Sequence, residues 1–382
     1  MITASAGFKA ALTQSHAGHV RITAYDRAAD NTRTELAVLA SSGGTLTIDS
    51  DGTYWRTADF RVANEPVDST GLKVVDLLDA KSTDVVIEFG VTVAGTVEWV
   101  TAATLRVDKV ERSRSGAEVS IVATDEGSRL ARDPLLAPWP NVTEPEALTP
   151  SRGMIATIQK FVNDVYPADD PDWVISDELD SRSSWAWRDG LVWQGDRWQQ
   201  IKDLADALGG WIYNDQLGRW CGAKLPALVS TPVAYYQSGD YQVLEDATSA
   251  DDRDAIFNVV YVRYEHPADG SSVVVAEDTD PASPTYVGGP YGRQVKDVTN
   301  DVVANEADAQ DAADELLSQF LYSGTLLEVS SVWNPLMIPG DHVQVELPDG
   351  TLAQHIVKRV VLPWPVGKMQ LGTRLADPGG ES

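Results

Sequence analysis

The 382 residues exceed what one ordinary hydrophobic core organises, so the chain is read as two to four domains. A formal net charge of −27, from 57 acids against 30 Lys and Arg, excludes a surface built to neutralise phosphates, so no stable nucleic-acid binding is expected. The single cysteine, Cys221, excludes an internal disulfide and a multi-cysteine metal cluster.

No basic region followed by an apolar run opens the chain, and no run of about 18 apolar residues could cross a bilayer. Synthesis in a cytoplasm is expected. The sequon Asn141-Val142-Thr143 then carries no meaning.

In chain order, Phe8 to His19 predicts a short amphipathic helix. Alternating segments follow: Val20 to Tyr25, Leu46 to Asp49, Trp55 to Val62, Val85 to Val91, Val97 to Val100, Leu105 to Val110 and Glu118 to Ala123. Turn signals separate them at Ser50-Asp51-Gly52, Ala94-Gly95 and Ser113 to Gly116. Short strands at this spacing predict a closed barrel or sandwich.

The proline-rich stretch from Pro134 to Pro150 marks a linker. Beyond it, Met154 to Val165 and Arg197 to Leu208 have helical spacing, the second closed by Gly209-Gly210 in the manner of a C-terminal cap. A hairpin, Trp211 to Tyr213 and Arg219 to Cys221, completes a small α+β unit. Seven of the 12 tryptophans lie here, including Trp185, Trp187 and Trp193. Such density serves either a compact core and interface or a stacking platform for sugar rings.

The last third returns to strands around one helix, Asn305 to Phe320. Its apolar stripe is Ala309, Ala312, Ala313, Leu316, Leu317 and Phe320, and its outer face carries Asp308, Asp311, Asp314 and Glu315. These carboxylates read either as a solvated face or as acids turned to a channel or a basic neighbour.

An internal echo runs through the two β-rich regions. Leu105 to Val110, Val119 to Val122 and Arg129-Leu130-Ala131 are answered by His355 to Val360, Met369 to Leu371 and Arg374-Leu375-Ala376. A duplication would give three copies of the chain six nearly equivalent edges.

Between the helix and the last strands stands Asn334 to Val345, centred on Pro339-Gly340-Asp341. Alone this is a tight turn into a strand. With the strand Ile256 to Tyr264, the acidic helix and the terminal strands in order, the region from about 240 to 377 resembles the second barrel domain of phage tail hub proteins. Ser15-His16 and the strands to about residue 133 are similar to the N-terminal domain of actinobacterial-phage minor tail proteins.

The resemblance implies a mainly β fold of two tube-like β-barrel domains, residues 1–140 and 236–382, with a Trp-rich α+β insertion at 150–235. It implies a homotrimer on a sixfold ring at the virion tail tip, joining the tail tube and distal tail ring to a central fibre around the DNA passage. The implied partners are the distal tail protein, the tape measure protein and the central fibre or other tail tip proteins. Pro339, Gly340 and Asp341 are the hub-like turn.

Chemistry is sparse. His16 and His19 form H-x-x-H without a third ligand, Asp49-Ser50-Asp51-Gly52 lacks most of a calcium loop, and Asp169, Asp170 and Asp172 sit among prolines. No nucleophile elbow, phosphate loop, zinc helix or dinucleotide fingerprint appears. No enzyme activity, cofactor or metal is expected. The rival reading is a tail-associated carbohydrate-binding or glycan-cleaving protein using Trp185, Trp187 and Trp193 with Asp189 and Asp196.

Overall fold

The computed structural model describes residues 1–377 apart from 15, 28–32, 67–72, 113–115, 140–152, 167–171, 183–184, 186–190, 227–230, 239–242, 252, 267–269, 301, 304, 322–324 and 348. The first region holds α1 (Ala6–Leu12), β1 (Gly18–Arg27), β2 (Arg33–Leu39), β3 (Ser41–Asp49), β4 (Arg56–Ala63), α2 (Val74–Leu77), β5 (Thr83–Val93), β6 (Thr96–Arg112), β7 (Glu118–Thr124) and α3 (Gly127–Arg132). The middle holds β8 (Leu135–Trp139), α4 (Met154–Asn163), β9 (Trp173–Ile175), α5 (Asp177–Asp180), β10 (Trp193–Gly195), α6 (Arg197–Ala207), β11 (Gly210–Asn214) and β12 (Trp220–Lys224). The last region holds β13 (Ala234–Tyr236), β14 (Leu244–Asp251), β15 (Val259–His266), β16 (Gly270–Glu277), β17 (Val295–Thr299), α7 (Glu306–Leu321), β18 (Thr325–Ser331), β19 (His342–Glu346), β20 (Leu352–Trp364) and β21 (Met369–Asp377).

Both β-rich regions enter one 13-stranded sheet, running β14-β18-β21-β20-β3-β4-β7-β6-β5-β1-β2, with β19 and β13 branching from β20. Closed barrels are not what the ladders form: among the described residues no pairing joins the outer strands β14 and β2. Instead the sheet consists of two half-sheets of matching order, β3-β4-β7-β6-β5-β1 and β14-β18-β21-β20-β19-β13. They are fused where the end of β20 pairs with β3, Arg359 opposite Asp49 through Trp364 opposite Gly44.

The match extends to individual residues. Val107↔Ala123, Lys109↔Val122 and Val110↔Ile121 are answered by Val357↔Thr373, Arg359↔Gly372 and Val360↔Leu371 at constant spacing. One residue is skipped in each ladder at the same point, Asp108 in β6 and Lys358 in β20. The outer pair repeats this agreement, with the register shifting between Ser41 and Gly43 on β3 and between Leu244 and Asp246 on β14. Bulges bend strands and hold their register, so two coincident bulges give both half-sheets the same bend. The halves differ at the outermost strand, where β1 runs antiparallel to β5 but the short β13 runs parallel to β19.

Alternation at 180° per residue drives these strands. In β4 every second residue, Arg56, Ala58, Phe60 and Val62, is buried. β6 is one strand of 17 residues, although the sequence pattern reads as two. Bulges at Ile87/Glu88 in the β5 ladder and Val107/Lys109 in the β7 ladder break the alternation without ending the strand. The predicted turn at Ala94-Gly95 is present, with φ of 48° and 85°. Ser5 fixes the start of α1 by accepting from the Phe8 N–H at 2.9 Å, and the helix ends earlier than its pattern, with Thr13 as its C-cap and the chain entering β1 at Gly18.

The buried apolar residues form two clusters. The first joins both half-sheets, with Phe60 and Phe89 beside Trp364 at 6.0 Å each and Trp333 edge-on to Phe89 at 5.2 Å. The second gathers α4, α6 and the middle strands with the small sheet β16-β15-β17 and its covering helix α7. The two meet where the β3–β4 turn leans on α6: Trp198 Nε1 donates to the Thr53 carbonyl at 2.9 Å.

Candidate functional site

The turn at Pro339-Gly340-Asp341 continues the β19–β20 ladder. The Gly340 N–H donates to the Val357 carbonyl at 2.8 Å, and the Val357 N–H donates to the Asp341 carbonyl at 2.9 Å. Gly340 has φ of 90°, and a Cβ there would stand 3.2 Å from the Trp211 ring. Asp341 is buried; one carboxylate oxygen accepts from the Ile338 N–H at 2.9 Å and the other from the Met1 amino group. Burial raises its pKa, opposed by the amino group. The turn is therefore a clamp that packs the second half-sheet against the middle segment.

The four acids of α7 occupy three environments. Asp311 and Asp314 are exposed, Asp314 accepting from Gln310 Nε2 at 2.9 Å. Asp308 belongs to the helix start, where Asn305 and Asp308 bond reciprocally at 2.8 and 2.9 Å, and burial raises its pKa. Glu315 turns inward and meets Arg182 Nη2 at 2.9 Å and Lys224 Nζ at 3.7 Å. Gly209, with φ of 61° after α6, leaves room for that pair, since a Cβ there would fall 2.6 Å from Arg182 and 2.7 Å from Glu315. The sequence showed the cap but not what the missing side chain admits.

Among the described residues, Trp193 and Trp185 of the predicted cluster make internal contacts. Trp193 is buried, opposite Trp139 in the β8–β10 ladder with ring centroids 5.5 Å apart, so its faces are not open to a sugar. Trp185 is half-buried and carries the Arg182 guanidinium over its ring at 4.6 Å. Asp196 caps α6 by accepting from the Gln199 N–H at 3.0 Å, which occupies it locally. Trp187, Asp189, Asp169, Asp170 and the sequon lie outside the described residues.

His16 and His19 do not converge: His16 Nδ1 meets the Gln14 carbonyl at 2.9 Å and His19 Nε2 meets Thr92 Oγ1 at 3.0 Å. The Asp49-Asp51-Gly52 segment is a turn, with Asp49 Oδ1 accepting from the Asp51 N–H at 3.0 Å. Asp172 offers its carbonyl to the Trp220 N–H at 2.9 Å. Among the described residues no three His, Cys, Asp or Glu side chains gather as a metal site. Cys221 is a buried free thiol whose pKa burial pushes up to about 11.

Two buried polar clusters gave no sequence signal, because their members are far apart in the chain. Arg27 joins Asp84 at 2.7 Å and also Glu126, and Tyr166 donates to Glu126 at 2.6 Å, linking β1, β5, α3 and the end of α4. Burial works to raise the Glu126 pKa, but Arg27 wins and holds it below the usual range. Nearby, Arg56 is buried; its backbone N–H donates to Asp125 Oδ2 at 2.9 Å and its guanidinium to the Asn214 carbonyl. Burial raises the Asp125 pKa to about 6, against the stabilising N–H groups of Arg56 and Gly127. Both clusters fasten the first half-sheet to the middle segment.

The open surfaces are strand edges. β14 pairs only with β18, and the far end of β6, Lys109 to Arg112, pairs only with β7 among the described residues. Lys109, Glu111 and Arg112 are exposed, as are Glu245, Asp246 and Thr248 to Ala250.

No protein-family model matches the chain, and no curated protein matches it. Solved structures do. The tail protein from Neisseria meningitidis MC58 superposes with a TM-score of 0.60 at 14% identity, over 93% of this chain and 96% of that one. The 43 kDa tail protein of prophage MuSo2 from Shewanella oneidensis gives 0.59 at 10% identity, over 94% and 99%. Prophage tail protein gp18 from Listeria monocytogenes EGD-e gives 0.53 at 12% identity, over 95% of each chain. The chain thus has, over almost its whole length, the fold of phage tail proteins. The mainly β architecture and the tail-protein resemblance expected from sequence are both present.

Proposed function

We propose that this chain is a structural tail hub protein of a phage or phage-like particle. Three copies form a pseudo-sixfold ring at the tail tip, joining the distal tail ring to the central fibre and enclosing the passage for DNA. The observation that carries the proposal is the doubling of strand order and register within one sheet. A chain with two equivalent half-sheets presents three copies as six similar units, which a sixfold tube and a threefold fibre can both meet.

The remaining features agree with this role. A net charge of −27 keeps a polyanion from adhering, and Asp311 and Asp314, both exposed, are free to face the proposed passage. No helix among the described residues is long and apolar enough to cross a membrane. The activity is architectural, and the tape measure, distal tail and fibre proteins are the expected neighbours.

The test is an electron cryomicroscopy reconstruction of the parent particle's tail tip with this chain traced. Three copies with half-sheets alternating around the axis are expected. Copies placed peripherally, or in a number that does not pair two half-sheets with six positions, would remove the hub assignment.

A further inference from the structure

We propose that neighbouring copies join through an antiparallel ladder between the free end of β6 in one copy and the free edge of β14 in the next, in the register of the internal β20–β3 ladder. This rests on the hub reading, which requires copies to meet, and adds where they meet.

The internal joint supplies the template. β20 runs beside β19 only as far as Ile356↔His342, then skips Lys358 and takes up β3 from Arg359 onward. β6 does the same in the first half: it runs beside β5 as far as Arg106↔Asp84, skips Asp108 and continues to Arg112. Beside the end of β6 no strand among the described residues takes the place that β3 fills beside β20; there Arg112 Nη2 donates to the Val75 carbonyl of α2 at 3.2 Å. The counterpart of β3, by its ladder and its bulge, is β14, whose outer edge from Asp246 onward has no strand partner among the described residues. Each chain therefore has one joint made internally and the two complementary sides of a second.

Transferring the register is direct. Val360↔Ile48, Val361↔Thr47 and Leu362↔Leu46 become Val110 opposite Asp251, Glu111 opposite Ala250 and Arg112 opposite Ser249 of the neighbouring copy. Unpaired edges are templates for another strand, and main-chain bonds supply the attraction. Because the two sides differ, the contact is head-to-tail, the kind that builds a closed ring when its rotation closes.

Charge selects the occupant. The internal joint brings Arg359 Nε to 3.9 Å from Asp49 Oδ2. The β6 side retains the cations Lys109 and Arg112 with one acid, Glu111, which pairs with Lys109 at 2.5 Å. The β14 strand carries Glu245 and Asp246 and no Lys or Arg, and Glu245 meets Lys368 Nζ at 2.7 Å. In so acidic a chain, a basic edge meeting an acidic edge fits a second copy.

The test mixes two variants, Glu111→Cys and Ala250→Cys, each made in a Cys221→Ser background so that it holds one thiol, under mild oxidation, following covalent dimer on non-reducing gels and mass by light scattering. The mixture should give at least tenfold more dimer than either variant alone, or than Glu111→Cys mixed with Glu245→Cys, whose site lies five residues off register. Oligomers without that crosslink, or with equal yield from both pairs, would overturn the joint and leave the hub reading standing. A chain monomeric at every concentration and never crosslinked would count against both. Oligomers that shield Ala250→Cys from a thiol reagent without joining Glu111→Cys would assign the edge to a different occupant and overturn the joint.

Discussion

The two half-sheets place nearly the same backbone in unequal company, and the inequality shows what the fold fixes and what it leaves free. Position by position, Leu105 of β6 corresponds to His355 of β20, Ala123 to Thr373, and Phe60 of β4 to Val329 of β18. All six are buried. In the first half those positions are apolar; in the second, His355 Nδ1 meets Thr373 Oγ1 at 3.0 Å inside the same ladder. Register and bulge have been kept while the side chains changed, because slipping by one residue would turn every inward group outward. β3 is central and β14 is an edge for the same reason of placement: among the described residues one has a strand on each side, the other on one side only.

The largest effect should come from the rings between the halves. Phe60→Ala removes a buried ring packed on Trp364 and should cost about 3–5 kcal/mol, whereas Val329→Ala at the matching position should cost about 2. Urea unfolding measures both, and equal losses would break the correspondence of the two cores. Next, Thr47→Pro interrupts a strand paired on both sides and should cost about 3 kcal/mol or more, while Ala250→Pro on the edge strand should cost clearly less.

Acidification should separate the halves through His355, whose pKa burial lowers to about 4. Its unfolded value is near 6.5, so the unfolded chain takes up a proton first and stability is lost as pH falls from about 6.5 to 4. Relative to His355→Leu, the residue of the other half, the parent should lose about 3 kcal/mol between those limits.

Asp125 should act with the opposite sign. Its pKa is raised to about 6, so the native state retains the proton that the unfolded chain loses near 4, and stability declines as pH rises between them. Against Asp125→Asn, the parent should lose about 2–3 kcal/mol over that window. The smallest effect is expected at Arg182, where Arg182→Met breaks the half-buried contact with Glu315 and should cost about 1–2 kcal/mol. Thermal melts of the single variants and the Arg182→Met, Glu315→Gln pair would show whether the two losses are coupled.

Local pattern determined much of this protein: alternation located β3, β4, β5 and β7, apolar spacing located α4, α6 and α7, and Gly209 marked the end of α6, because these depend on neighbours in sequence. The resemblance at Pro339-Gly340-Asp341 was legible too, yet its counterpart in the first half, where Thr83 Oγ1 accepts from the Asp79 N–H at 2.9 Å, looks nothing like it in sequence. Only the tertiary structure decided that β6 and β20 are each one bent strand, that the halves share a sheet through Arg359 to Trp364, and that Trp193, Asp196 and Glu315 are occupied internally. The physical reason is that strand pairing, ion pairing and burial are settled between residues tens to hundreds of positions apart, where one chain's periodicity carries no information about its partner.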